Sequence, residues 1–169
     1  YFGHSGPVYK VRCNPYWENI FLSCSADWTV KLWNYKEENP VYTFQSLDLT
    51  DQVNDIEWSR TTSTVFGSVT DDGRIEIWDL AHSPLDPLIV KKRDNEGNQA
   101  PRTTIRFAPH CPVVITGDTN GVIDVFRIKN MEHEEITDDD QKARLEEAIL
   151  QKSSSSTVKT NVNEHVQEQ

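Results

Sequence analysis

The sequence predicts an all-β fold built from three copies of one antiparallel sheet. Three segments share a pattern: a short apolar strand, a turn with Asp or Asn, and an alternating strand that ends in an aromatic residue. The aromatic residues are Trp33, Trp78 and Phe126, which lie 45 and 48 residues apart. Repeats of about 40–45 residues with a Trp-Asp type ending are typical of WD40 β-propeller blades.

Four strand patterns divide each of the first two repeats, about 4–46 and 50–92. Alternating apolar residues bounded by Asn, Asp, Pro or Gly predict them. The predicted strands of the first repeat are 8–13, 20–25, 29–35 and 41–45. Those of the second repeat are 53–59, 65–70, 74–80 and 88–90. Each repeat is therefore expected to form one four-stranded blade.

The third repeat, about 100–130, carries only three strand patterns. They cover 103–108, 113–117 and 122–128, and no β pattern follows. Propellers close with about four to eight blades, so three repeats cannot form a ring. We therefore expect the C-terminal blades of a longer protein, whose missing N-terminal part supplies the remaining blades and the absent outer strand.

The tail, residues 131–169, is acidic, with ten carboxylates and four basic residues. Asp138 to Asp140 favour a helix start, and an apolar stripe at Leu145, Ala148 and Ile149 predicts a helix over about 138–152. The remainder has too little apolar content to fold alone and is expected to be disordered. Between the second and third repeats, residues 91–102 predict a surface loop.

Composition excludes several classes of partner and cofactor. A net charge of −10 argues against nucleic acid and anionic membranes. There is no apolar run near the roughly 20 residues of a membrane span. Cys13, Cys24 and Cys111 form no C-x-x-C pair and have no His at metal-ligand spacing, so we expect reduced, buried thiols, no metal and no cofactor.

His4, Ser23 and Asp27 are the residue types of a hydrolase triad. Ser23, however, lies within a strand pattern and not on a G-x-S-x-G elbow. In WD repeats the corresponding residues, together with the Trp at position 33, form a buried hydrogen-bonded chain. We therefore predict that His4, Ser23, Asp27 and Trp33 are structural.

The later repeats retain only part of this set. The second repeat keeps Ser68, Asp72 and Trp78 but lacks the preceding Gly-His. The third keeps Thr116 and has Asn120 in place of the Asp. The network is therefore expected to weaken from the first repeat to the third.

Two further features are candidates for binding and modification. Trp28 occupies a turn where Gly73 and Gly121 stand in the other repeats, and exposed Trp is enriched at interface hot spots. The face with these three turns is a candidate protein interface, although Trp28 could instead fold over its own blade. The candidate phosphorylation sites in the tail are Ser153, Ser154, Ser155 and Ser156.

The segments GHSGPVYKVRCNPYWENIFLS and CSADWTVKLW resemble the WD-repeat intermediate chains of axonemal dynein. The later segment IEIWDLAHSPLDPLIV resembles the same family, and the resemblance spans about residues 1–131. It implies a seven-bladed propeller that binds a dynein heavy chain beside a second intermediate chain and light chains. The resemblance also implies that the light chains bind an N-terminal region, and we expect that region to lie outside this sequence.

The resemblance also implies a place and a role. The place is the cytoplasm and cytoskeleton, in the axoneme of a cilium or flagellum, and the role is a non-enzymatic scaffold that helps assemble or regulate the motor. ATP hydrolysis would belong to the heavy chain. A WD-repeat scaffold unrelated to cilia is the alternative, and a hydrolase ranks third.

Overall fold

The computed structural model describes residues 1–92, 100–129 and 136–160, with side chains described up to residue 150. It contains antiparallel sheets of four, four and three strands and one helix, which confirms the predicted all-β class. The middle of the expected loop 91–102, the start of the acidic tail and the expected disordered end beyond residue 160 lie outside the described residues.

Each repeat forms one sheet, whose strands are hydrogen-bonded in chain order. The first sheet contains β1 (Val8–Cys13), β2 (Ile20–Ser25), β3 (Val30–Asn34) and β4 (Tyr42–Phe44). The second contains β5 (Val53–Trp58), β6 (Val65–Thr70), β7 (Ile75–Asp79) and β8 (Ile89–Lys91). The third contains β9 (Arg102–Phe107), β10 (Val113–Asp118) and β11 (Ile123–Arg127). We call these sheets blades one, two and three.

The antiparallel order gives each blade two distinct ends. The β2–β3, β6–β7 and β10–β11 turns lie at the end where the chain passes to the next blade. We call this end the turn face. The connections between the first and second strands lie at the opposite end.

Apolar side chains pack between neighbouring blades. One cluster joins blades one and two through residues such as Phe44, Trp58 and Trp78. A second joins blades two and three through residues such as Ile77 and Ile105. The blades therefore stabilise one another, because a sheet standing alone would leave its apolar faces in water.

An ion-pair network also links the first strands of the three blades, β1, β5 and β9. Asp55 on β5 is 1% exposed and lies 3.5 Å from Arg12 of blade one and 3.3 Å from Arg106 of blade three. Its carboxylate also accepts a hydrogen bond from the backbone N–H of Ile105 at 3.1 Å. One buried carboxylate therefore contacts all three blades.

The helix α1 (Asp138–Thr160) packs against the end of the blades opposite the turn face. Gln141 is 4% exposed, its Oε1 accepts from the Ser63 N–H at 2.8 Å, and its Nε2 donates to the Thr61 carbonyl at 3.0 Å. Leu145 is fully buried beside them. The predicted apolar stripe is thus the docking surface of α1. Gln141 precedes Leu145 by one helical turn and lies on the same face, which was the available signal for its burial.

The helix is longer than the sequence analysis expected. Its backbone continues past residue 152 to Thr160 and includes all four candidate phosphorylation serines. No Gly or Pro interrupts residues 138–160, and Ser is only about 0.5 kcal/mol worse than Ala in a helix. Phosphorylation of the four serines stays a prediction.

The cysteines differ in part from expectation. All three are free, but only Cys24 is buried, where burial raises its pKa to about 12. Cys13 and Cys111 are exposed, so the expectation of buried thiols is wrong for these two. Cys13 is the last residue of β1, and Cys111 lies in the connection before β10.

Candidate functional site

Four predicted residues meet in blade one. His4 Nδ1 lies 2.8 Å from Asp27 Oδ2, and His4 Nε2 lies 2.7 Å from Ser23 Oγ. Trp33 Nε1 donates to the same Ser23 hydroxyl at 2.8 Å. A carboxylate only accepts, so Nδ1 carries a proton, and in the neutral imidazole Ser23 donates to Nε2. The chain of donors therefore runs from Trp33 through Ser23 and His4 to Asp27.

Asp27 anchors this chain to the turn face. Its carboxylate accepts from the Ser5 N–H at 2.9 Å and from the Thr29 hydroxyl at 2.6 Å, in addition to His4. Burial alone would raise the pKa of Asp27, but the hydrogen bonds from Thr29, His4 and Ser5 outweigh it and lower the pKa to about 2. The ionised carboxylate thus ties the chain ahead of β1 to the β2–β3 turn.

The distances among Ser23, His4 and Asp27 match those of a nucleophilic triad. Two features argue against that use. Ser23 is 4% exposed, and its oxygen already accepts the indole N–H of Trp33. The Ser23 hydroxyl is thus largely covered and already engaged by the indole, an arrangement suited to holding blade one together.

Blade two does not assemble the same network. Ser68 Oγ donates to Glu76 Oε2 at a long 3.4 Å, and the buried Nε1 of Trp78 has no hydrogen-bond partner among the described residues. Asp72 instead accepts from Arg74 Nε at 2.6 Å and from the Thr70 hydroxyl. Ser68, Asp72 and Trp78 are therefore not joined, because no His stands ahead of β5.

In blade two a buried carboxylate takes the place that the hydrogen-bonded network has in blade one. The sequence analysis made no prediction for this residue, Glu76. Glu76 is 2% exposed, accepts from Ser46 Oγ at 2.6 Å and lies 3.7 Å from Arg74. Burial raises the pKa of Glu76 above its usual range despite these partners. Alternation was the available signal, because Arg74, just before β7, alternates with Glu76 and Trp78 along the strand.

In blade three an arginine takes the central position. Arg102 is 3% exposed, and its guanidinium donates to Thr116 Oγ1 at 2.5 Å and lies 2.9 Å from Asp124. It also stands 5.6 Å from the centre of the Phe126 ring. Asn120 lies apart in the turn, where its N–H donates to the Asp118 carboxylate at 2.9 Å. Thr116 and Asn120 are thus not brought together.

The β2–β3 turn contains the only non-glycine residue with positive φ in the described part of the chain. Trp28 has a φ of 70°, and Gly73 and Gly121 have a φ of 80° at the equivalent turns of blades two and three. A bulky side chain in this region is strained by about 1–3 kcal/mol. Trp28 is nonetheless 43% exposed, so its burial within blade one recovers only part of that cost.

A second exposed apolar residue lies at the same turn face as Trp28. Val30 pairs with Phe44, which places the Trp28 turn level with the chain just beyond β4. Leu47, in that chain, is 99% exposed. Next to it, Asp48 pairs with Arg74 at 2.8 Å and with Lys92. The turn face of blade one thus combines exposed apolar groups with an ordered charged border, as protein-binding surfaces do.

Sites of other kinds were sought in the same residues. In the described ranges, no group of three or more His, Cys, Asp or Glu side chains could hold a metal ion. The part of α1 that the structure describes is too polar to cross a lipid bilayer, and no other described helix exists.

Comparison with known proteins supplies the family. Residues 1–92 match the family model of the dynein axonemal intermediate chain 3 WD40 domain. Dynein axonemal intermediate chain 4 of Rattus norvegicus is 42% identical over 132 residues, which is 78% of this chain and 16% of the relative. Dynein intermediate chain 2, ciliary, of Heliocidaris crassispina is 37% identical over 130 residues, 74% of this chain and 17% of the relative.

A more distant relative agrees with these. The 78 kDa intermediate chain of the flagellar outer arm of Chlamydomonas reinhardtii is 32% identical over 128 residues, 76% of this chain and 18% of that protein. The chain therefore spans about a sixth of the length of the curated relatives it matches. The repeats, the blade-one network and these similarities together show that the chain belongs to the WD40-domain family of axonemal dynein intermediate chains.

Proposed function

We propose that this chain is part of a non-catalytic intermediate-chain subunit of axonemal dynein that binds a dynein heavy chain. It works in the axoneme of a cilium or flagellum, together with a second intermediate chain and light chains. Family membership supports the dynein assignment, and the relatives' names place those proteins in axonemal, ciliary and flagellar dyneins. We further propose that the propeller has seven blades, three of which are formed by these repeats.

The Trp28 turn is the observation that carries the binding proposal. Glycine occupies the equivalent turns of blades two and three and adopts the same φ without strain. A strained, half-exposed Trp gives blade one no evident folding benefit over Gly. A Trp at an interface buries about 150–250 Å² and is often a hot spot. We therefore assign Trp28, with Gly73 and Gly121 allowing close approach, to the heavy-chain contact.

The substitution Trp28→Gly separates binding from folding. In the full-length protein it should leave stability unchanged or raise it by about 1 kcal/mol, because Gly relieves the positive-φ strain. It should weaken heavy-chain association by about 2 kcal/mol or more, roughly thirtyfold. Pull-down of the heavy chain against a dilution series of each variant, with thermal unfolding run in parallel, measures both.

Tyr35→Ala is the matched control. Tyr35 is 50% exposed and follows β3, at the end of blade one opposite Trp28. Its loss should leave heavy-chain recovery unchanged. Full recovery with Trp28→Gly would show that the contact lies elsewhere, and equal losses with both variants would indicate a non-specific effect.

The proposal of a non-catalytic subunit rests on the setting of Ser23. Its hydroxyl is buried and engaged by Trp33, which disfavours the hydrolase alternative. In the assembled motor, ATP hydrolysis would belong to the heavy chain. The alternative of a WD-repeat scaffold unrelated to cilia gains no support from the three relatives described above, each of which is named as a dynein chain.

A further inference from the structure

The junction between blades one and two is filled by aromatic rings from the outer strand of blade one. Phe44 on β4 packs with its ring centre 5.0 Å from that of Phe66 and 5.3 Å from that of Trp78. Tyr42, on the same face of β4, is 5% exposed and stacks on Phe44. These two rings fill the outer part of this junction.

The junction between blades two and three has different residues at the same positions. Leu32 pairs with Tyr42 in blade one, and Ile77 pairs with Ile89 in blade two, so Ile89 is the counterpart of Tyr42. By the same register, Lys91 is the counterpart of Phe44. Two aromatic rings are thus replaced by an aliphatic and a cationic side chain.

The replacement leaves a cleft between β8 and blade three. Among the described residues its volume is about 190 Å³, and its walls are mainly apolar, including Ile77, Ile89, Val114 and Phe126. An engineered apolar cavity of about 150 Å³ is large enough to bind benzene. The cleft is therefore large enough for one aromatic ring, the group that fills the neighbouring junction.

The rim of this cleft is cationic. Lys91, Arg127 and Lys129 all line it. Repeat alignment places Asp79 of blade two at the position of Arg127, so the positive charge is specific to this junction. A cationic rim around an apolar cleft favours an aromatic residue with acidic neighbours.

We propose that this cleft binds the aromatic side chain of a partner peptide whose flanking residues are acidic. The aromatic ring occupies the space that Tyr42 and Phe44 fill in the preceding junction, and the flanking carboxylates pair with Arg127 and Lys129. This site lies between blades two and three and is independent of the Trp28 turn on blade one.

The test uses full-length protein and a fluorescein-labelled peptide with a single phenylalanine between short runs of glutamate. Fluorescence anisotropy should show saturable binding, weakened about tenfold or more when alanine replaces the phenylalanine. The substitution Ile89→Tyr gives β8 the tyrosine that blade one has at the equivalent position, Tyr42. The new ring should fill the cleft and weaken peptide binding by a similar factor. Val90→Tyr, on the opposite face of β8, should bind like the wild type.

Three outcomes would overturn the proposal. They are no saturable binding to the wild type, equal binding of the phenylalanine and alanine peptides, and undiminished binding by Ile89→Tyr. Equal weakening by Ile89→Tyr and Val90→Tyr would assign the effect to a disturbed β8 and count against the cleft as well.

Discussion

Ser23 and Ser68 occupy the same position in successive blades, yet their removal should have very different costs. Ser23→Ala deprives two groups of their partner: the Trp33 indole N–H, bonded at 2.8 Å, and His4 Nε2, at 2.7 Å. Each polar group left buried and unpaired costs about 1–3 kcal/mol. Ser23→Ala should therefore lower the free energy of unfolding by about 2–6 kcal/mol.

Ser68→Ala removes much less. The Ser68 hydroxyl makes one long contact, 3.4 Å to Glu76, and Glu76 keeps its 2.6 Å bond from Ser46. Trp78 loses nothing, because its indole N–H has no partner in blade two among the described residues. The expected loss is below about 1 kcal/mol.

Equilibrium urea unfolding of the full-length protein compares the two variants under the same conditions. The midpoint should fall clearly for Ser23→Ala and barely for Ser68→Ala, with unchanged slopes. Since both changes delete the same atom from a buried strand, cavity costs largely cancel in the difference. Equal losses, or a larger loss for Ser68→Ala, would refute the view that the blade-one network holds its sheet together.

Two other changes follow from the same structure. The pKa of Asp27 is about 2 in the folded protein and about 3.9 in the unfolded chain. Its ionised carboxylate therefore contributes about 2 kcal/mol to stability above pH 4, and this contribution is lost as the pH falls towards 2. The stability difference between wild type and Asp27→Asn should shrink over that window, and a constant difference from pH 7 to pH 2 would contradict the linkage. Leu145→Ala should cost about 2–5 kcal/mol, whereas Leu150→Ala, at a site 59% exposed, should cost less than about 0.5 kcal/mol, both read from thermal unfolding. Similar costs would show that α1 is not docked in solution.

The strands were predictable because their signal is local. Alternation and turn residues located the eleven strands that the structure describes to within a residue or two, and the helix start at Asp138 followed from its acidic first turn. The blade-one network was also predictable, since His4, Ser23, Asp27 and Trp33 form a recognisable set. Pattern and residue type were sufficient in these cases.

Contacts between distant segments were not predictable in this way. Arg102 and Glu76 take the central positions of their blades, but each is an ordinary charged residue in sequence and gains its role from partners on other strands. Asp55 likewise contacts three blades only once they are assembled. Trp28 was singled out by its residue type, but its positive φ is a property of the folded turn.

The docking of α1 bears on the order in which the molecule folds. Gln141 bonds to Ser63, 78 residues earlier in the chain, so the helix can dock only after blade two exists. Closing so long a loop costs entropy that local strand pairing does not, and an isolated polar helix is marginal in water. The apolar groove beneath Leu145 must therefore stay open to solvent until a late step. During that interval the partly folded blades expose an apolar surface. Chaperones or assembly factors would have their best opportunity to bind there.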